Sequence, residues 1–150
     1  RQIAIAYIYA DGKIWYDEAE DPLPFDVNAT IIEIEDRDYA LWYRDISEEM
    51  EKYNGKTVKF KGMVFNEARG GKDVFCMGRH VMVCCANDIT YRAFVCKYAI
   101  KPSFKTNDWA MITAKITIEK HQMYKGQGPI LNILSIGPAE CPEEQVATFY

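Results

Sequence analysis

Apolar and polar positions alternate with a period of two over most of this chain, and with a helical period over one stretch only. Ile3 to Tyr9 is continuous and aromatic, Asp11-Gly12 is a tight-turn dipeptide, and Lys13 to Tyr16 resumes the run, which together predict a β-hairpin. An acidic, proline-bearing connection follows from Asp17 to Pro24, and Ile32 and Ile34 then share a face in a short strand over Thr30 to Ile34. From Asp38 to Tyr53 the spacing of Tyr39, Trp42, Tyr43, Ile46, Met50 and Tyr53 predicts a helix, with Arg44, Asp45, Glu48, Glu49 and Lys52 on its polar side. Asp36 or Asp38 is the expected cap at its start, and Asn54-Gly55 is the expected left-handed stop.

Strands are expected after the helix. In Thr57 to Phe65, Val58, Phe60 and Val64 share a face that Gly62 interrupts, which suits a bend. The loop Asn66 to Lys72, with Gly70-Gly71, leads to Val74 to Met77, then to Tyr91 to Tyr98, Trp109 to Glu119 and Ile130 to Ile136, with a polar hairpin loop over Lys120 to Gly128. One helix and about five strands, one of them bent at a glycine, predict a mainly β fold: a small β-barrel of the oligonucleotide/oligosaccharide-binding (OB) type with one packed α-helix. A split sheet on one helix is the alternative. Residues 1–28 form an N-terminal hairpin extension in this reading, and residues 29–150 the OB-like domain.

Charge narrows the partners. With 18 basic and 22 acidic residues among 150, the net charge is −4, which disfavours double-stranded nucleic acid as a partner because phosphate binding is driven by cationic surface. No stretch reaches the roughly 20 apolar residues of a membrane helix, and the run Ile3 to Tyr9 is too short for a signal peptide. The chain starts at Arg1 with no initiator methionine, so we expect a processed or trimmed fragment, whose missing front could carry a signal or a membrane anchor.

The chemistry concentrates in the run Arg79, His80, Val81, Met82, Val83, Cys84, Cys85, Ala86, Asn87, Asp88. Five cysteines, Cys76, Cys84, Cys85, Cys96 and Cys141, include no C-x-x-C pair, so neither a disulfide framework nor a zinc ribbon follows from spacing. Cys84, Cys85 and His80 are the candidate metal ligands for zinc or copper, with Asp88 behind them and Cys76 and Cys96 as further thiols. Regular strand geometry would put His80 and Cys84 on one face and Cys85 on the other; Cys84 and Cys96, in apolar surroundings, equally suit packed thiols. A redox reading makes the vicinal pair a switchable disulfide or a thiolate favoured by Arg79 and His80. Arg79 and Asp88 are the candidate ligand-binding residues, through anion binding, although an ion pair closing the turn accounts for them more simply.

A second class of function would use Tyr91, Phe94, Tyr98 and Trp109 as a stacking platform for single-stranded nucleic acid or sugar, with Lys59, Lys61, Arg92 and Lys97 nearby. Hydrolytic chemistry finds no G-x-S-x-G, H-E-x-x-H or phosphate-cradling loop, and His121 is most simply a solvated loop residue. We therefore expect a binding module, not an enzyme.

The residues Tyr53, Gly55, Lys56, Val58, Gly62 and Val64, then Arg79, Val81, Met82, Cys84, Cys85, Ala86 and Asp88, then Trp109, Pro138, Pro142 and Tyr150 carry a resemblance. From about Thr30 to Tyr150 the chain resembles the soluble C-terminal domain of the YcgQ-like bacterial proteins, an uncharacterised family of two-component permease subunits. The resemblance implies an OB-like domain at the bacterial cell envelope, membrane-anchored or secreted, with a membrane permease subunit as partner. The chain departs from that pattern at Ala114, where a glycine is expected, at His80, where an aromatic or aliphatic residue is expected, and in its first 28 residues.

Overall fold

The computed structural model describes residues 2–8, 14–20, 23–66, 73–99 and 103–149, the first two segments by their backbone alone. Strands β1 (Gln2–Ile8) and β2 (Ile14–Glu20) pair antiparallel with Ile8 opposite Ile14, as a hairpin requires, and β2 runs on into the acidic stretch read as connection. The Asp11-Gly12 turn and the Gly70-Gly71 loop lie outside the described residues.

The remaining strands are β3 (Ile32–Glu33), β4 (Thr57–Phe65), β5 (Val74–Val81), β6 (Thr90–Lys97), β7 (Trp109–His121) and β8 (Gly126–Pro138). They form one sheet in the order β3-β4-β5-β6-β8-β7, and β4 also pairs with β7, so the bonding runs round in a ring. β6 and β8 are parallel where they meet, and the other ring pairs are antiparallel. The bend expected at Gly62 has a structural counterpart: β4 pairs with β7 from Thr57 to Met63 and with β5 from Met63 to Phe65. A Cβ at Gly62 would sit 3.1 Å from the Gly78 carbonyl oxygen, so the residue at this change of partner must be small. Ala114, fully buried, lies at a register irregularity between β7 and β8, where Leu134 bulges outward 60% exposed.

The helix is shorter than its pattern predicts. A 3-10 turn at Asp36–Asp38 leads into α1 (Tyr39–Glu48), the backbone leaves helical angles at Glu49, and a second 3-10 turn covers Met50–Tyr53. A continuous helix would separate residues 45 and 53 by about 12 Å of rise. The break instead lets the Tyr53 hydroxyl donate to Asp45 Oδ2, which also pairs with Lys52 Nζ at 2.7 Å. Neither Asp36 nor Asp38 caps α1 with its side chain; the stop at Gly55, with φ +83°, is as expected. The apolar face of α1 packs on the sheet, with the Trp42 ring 4.9 Å from Phe60 and 4.8 Å from Phe94.

The C-terminal tail completes the sheet edge near the end of β5. Ala147 bridges Val81 in parallel, its N–H donating to the His80 carbonyl at 2.8 Å and its carbonyl accepting from Met82 N–H at 2.9 Å. Among the described residues no helix is long and apolar enough to cross a membrane.

Candidate functional site: a thiol turn beyond strand β5

Strand β5 ends at Val81, and the next seven residues make a compact exposed turn. Because the strand has stopped, the alternation that would splay Cys84 and Cys85 does not apply. One Sγ from each cysteine and a carboxylate oxygen of Asp88 all lie within 4.8 Å of one another. Asp88 organises this geometry. Its Oδ1 accepts from Val83 N–H at 2.7 Å, and its Oδ2 accepts from Cys84 N–H at 2.8 Å and Cys85 N–H at 3.2 Å. Residues Ala86–Asp88 form a 3-10 turn, closed by Asp88 N–H on the Cys85 side chain and by the Asp88 carboxylate on the Cys85 backbone.

The electrostatics follow from those bonds. The Cys84 and Val83 amides and the Cys84 thiol favour the ionised carboxylate, and Asp88 is held down at about 2. The Cys84 thiol, bonded to that carboxylate and to Cys85, is pushed up to about 11. Such a thiol stays protonated at neutral pH, the opposite of the activated thiolate that the redox reading needs.

His80 stands outside this group. It is still within β5, opposite Tyr91 of β6, with ring centroids 5.4 Å apart. Cys84, expected to suit a packed thiol, is exposed, as are Cys85 and Cys141, whereas Cys76 and Cys96 are buried in the sheet; all five are free thiols. Burial pushes Cys76 up to about 11, which keeps it inert.

Arg79 and Asp88 are not partners, which corrects the expectation of an ion pair across the turn. Arg79 points from β5 to the interior side, where it is 1% exposed, and Asp88 lies beyond the strand end. The guanidinium donates to Asp36 Oδ1 at 3.0 Å, to the Asp36 carbonyl at 3.1 Å and to the Glu144 carbonyl at 2.7 Å, and sits 5.4 Å from the Trp109 ring centroid. Both terminal nitrogens are thus engaged with protein, while the buried Nε has no hydrogen-bond partner among the described residues, and the contacts the side chain makes are those of a structural tie between β5, Asp36 and the C-terminal tail. Its partners are 43 and 65 residues away in sequence, and no local pattern marks them.

The expected stacking platform does not assemble. Phe94 is buried in the core beside Trp42, Trp109 lies against Arg79, and Tyr98 is packed on the core, whereas Tyr91 lines a surface pocket. Sequence reasoning also missed Met63, Phe65, Thr106 and Asn107, which line that pocket and come from two separate segments, β4 and the loop before β7.

Comparison with known proteins gives a family. No curated protein matches the chain. Among solved structures, an aspartyl tRNA synthetase from Entamoeba histolytica is similar at 15% identity and a TM-score of 0.39, over 65% of this chain and 21% of the synthetase, so the chain spans about a fifth of that enzyme. The model of the DUF1980 C-terminal domain, a family of uncharacterised function, matches residues 12–147, and the chain belongs to that family.

Proposed function

We propose that this domain is a non-enzymatic binding module that captures a soft metal ion at the Cys84–Cys85–Asp88 turn and serves a membrane permease at the bacterial envelope. The convergence of two exposed sulfurs and an anchored carboxylate within 4.8 Å carries the reading. Thiolate pairs select copper(I) or zinc over harder ions, and three donors from one turn leave a coordination position open, as a site that loads and unloads requires. Each bound thiol releases its proton to solvent, and the high Cys84 value makes capture weaken as pH falls. The permease setting rests on the resemblance of residues Thr30 to Tyr150 to the YcgQ-like proteins. The sheet order, with its β4–β7 pairing and parallel β6–β8 contact, supports an OB-type barrel as the scaffold.

The test is titration of the reduced chain with copper(I) and, separately, zinc, each against a competing chromophoric chelator. One equivalent is expected to bind, with ultraviolet thiolate-to-metal charge transfer for copper. Cys84→Ser/Cys85→Ser should abolish binding, Asp88→Ala should weaken it about tenfold or more, and His80→Ala should leave it unchanged. Binding that survives loss of both thiols would sink the proposal.

A further inference from the structure

A second site lies apart from the thiol turn, on the face of the sheet where β4, β5 and β6 meet. A pocket of about 260 Å³ is lined by Met63, Val64 and Phe65 of β4, His80 of β5, Tyr91 of β6, and Thr106 and Asn107 from the segment before β7. Its walls are fixed in advance. The Tyr91 hydroxyl donates to the Met63 carbonyl at 2.7 Å, which pins the ring across β5. Asn107 N–H donates to the Val64 carbonyl at 2.8 Å, Val64 N–H to the Asp108 carbonyl at 2.8 Å, and Asn66 N–H to Thr106 Oγ1 at 3.0 Å, so the loop is bolted to the end of β4. Asn107 itself is held at φ +79°, a conformation that asparagine tolerates better than most residues.

We infer that this pocket binds a single uncharged planar heteroaromatic ring of nucleobase type. The size is the first reason: pockets for drug-sized ligands run from roughly 300 to 1,000 Å³, and this one falls just below them, at the volume of one ring and its substituents. The lining is the second. Phe65, 36% exposed, Tyr91 and Met63 offer aromatic and thioether surface for a flat ring. Among the described residues, the His80 imidazole touches Tyr91 but has no hydrogen-bond partner, and the Asn107 side chain has none either, so two groups that both donate and accept remain for a ring edge. A sugar would ask for more polar groups than these, and among the described residues no lysine or arginine lines the pocket to meet a phosphate. Rigid walls leave little ordering for the ligand to offset.

The probes are uridine, adenosine, methyl glucoside and a short single-stranded oligothymidylate, each titrated into the isotope-labelled chain and followed by amide shifts. A nucleoside is expected to give saturable shifts at residues 63–65, 80, 91 and 106–107, with methyl glucoside inert at the same concentration. Phe65→Ala, at an exposed position that spares the fold, should weaken binding about tenfold. Asn107→Gly, which keeps the left-handed backbone and removes only the amide, should weaken it as well, and Cys84→Ser/Cys85→Ser should not, which separates this site from the thiol turn. Equal affinity for nucleoside and oligothymidylate identifies a free ring as the ligand. Tighter, salt-sensitive binding of the oligothymidylate that is still lost in Phe65→Ala places the same ring in a strand. Absence of saturable shifts with either nucleoside, or shifts indifferent to both pocket variants, overturns the inference.

Discussion

The guanidinium of Arg79, almost wholly shielded from solvent, is held by the Asp36 carboxylate at 3.0 Å while that carboxylate is itself 42% exposed. The pair is lopsided: water can take over for Asp36 if Arg79 is removed, but little can take over for Arg79 if Asp36 is removed. Burial pulls the Arg79 value down, and Asp36 opposes that pull. Asp36→Ala should therefore cost about 3 kcal/mol by leaving a buried charge short of its counter-ion. Arg79→Met added to it should restore part of the loss, because the methionine fills the volume without a charge. Urea unfolding of the two singles and the double decides the point; strictly additive losses would contradict it. Hydrogen exchange at Ala147 should quicken in both Arg79 variants, since the same guanidinium holds the tail through the Glu144 carbonyl.

The acid behaviour of the thiol turn follows from Asp88. Its folded value, about 2, lies below the ordinary 3.8, so the ionised carboxylate favours the folded turn above pH 4, and that contribution is lost as pH falls through about 2. The amide shifts of Val83, Cys84 and Cys85 should stay constant from pH 7 to pH 4 and move together near pH 2. A common midpoint near 3.8 would show that the three amide bonds do not bias the carboxylate.

Cys84 should be a slow nucleophile despite its exposure. With the thiol at about 11, its thiolate fraction at pH 8 is on the order of one in a thousand. Alkylation by iodoacetamide, resolved by residue in peptide mass spectra, should rise about tenfold per pH unit up to pH 10. Asp88→Asn, which removes the charge and replaces one of the two acceptor oxygens by a donor, should speed the reaction at pH 8. A rate that levels off near pH 9 would refute the assignment.

The sequence made the strands legible because their cores alternate: Val58, Phe60 and Val64 in β4, and Ala110, Ile112, Ala114 and Ile116 in β7, are all buried as their spacing predicts. It also marked the thiol turn, whose donors lie within five residues of one another. It overextended the helix, since the periodicity of Met50 and Tyr53 persists through a break made by Tyr53 reaching back to Asp45. Arg79 was misassigned to Asp88 because proximity in sequence favoured a partner nine residues away, whereas the fold brings in one 43 residues away. The ring pocket left no local signature, as its residues meet only when β4, β5, β6 and the loop before β7 are assembled.

Gly78 joins the pocket to the fold. It pairs with Met63 on one side and Ala93 on the other, and the Tyr91 hydroxyl lies against its backbone while bonding to Met63. A Cβ here would overlap the Arg92 carbonyl oxygen and the Ala93 Cα, both of them backbone atoms in the neighbouring strand that no rotamer change can move. Gly78→Ala should therefore force β5 and β6 apart and destabilise the chain by about 3 kcal/mol or more. Gly55→Ala, at φ +83° but with open space around it, should cost only about 1 kcal/mol. Thermal unfolding of the two variants tests the contrast. If Gly78→Ala proved the milder change, the close approach of the two strands, and with it the pinning of Tyr91 over β5, would have to be abandoned.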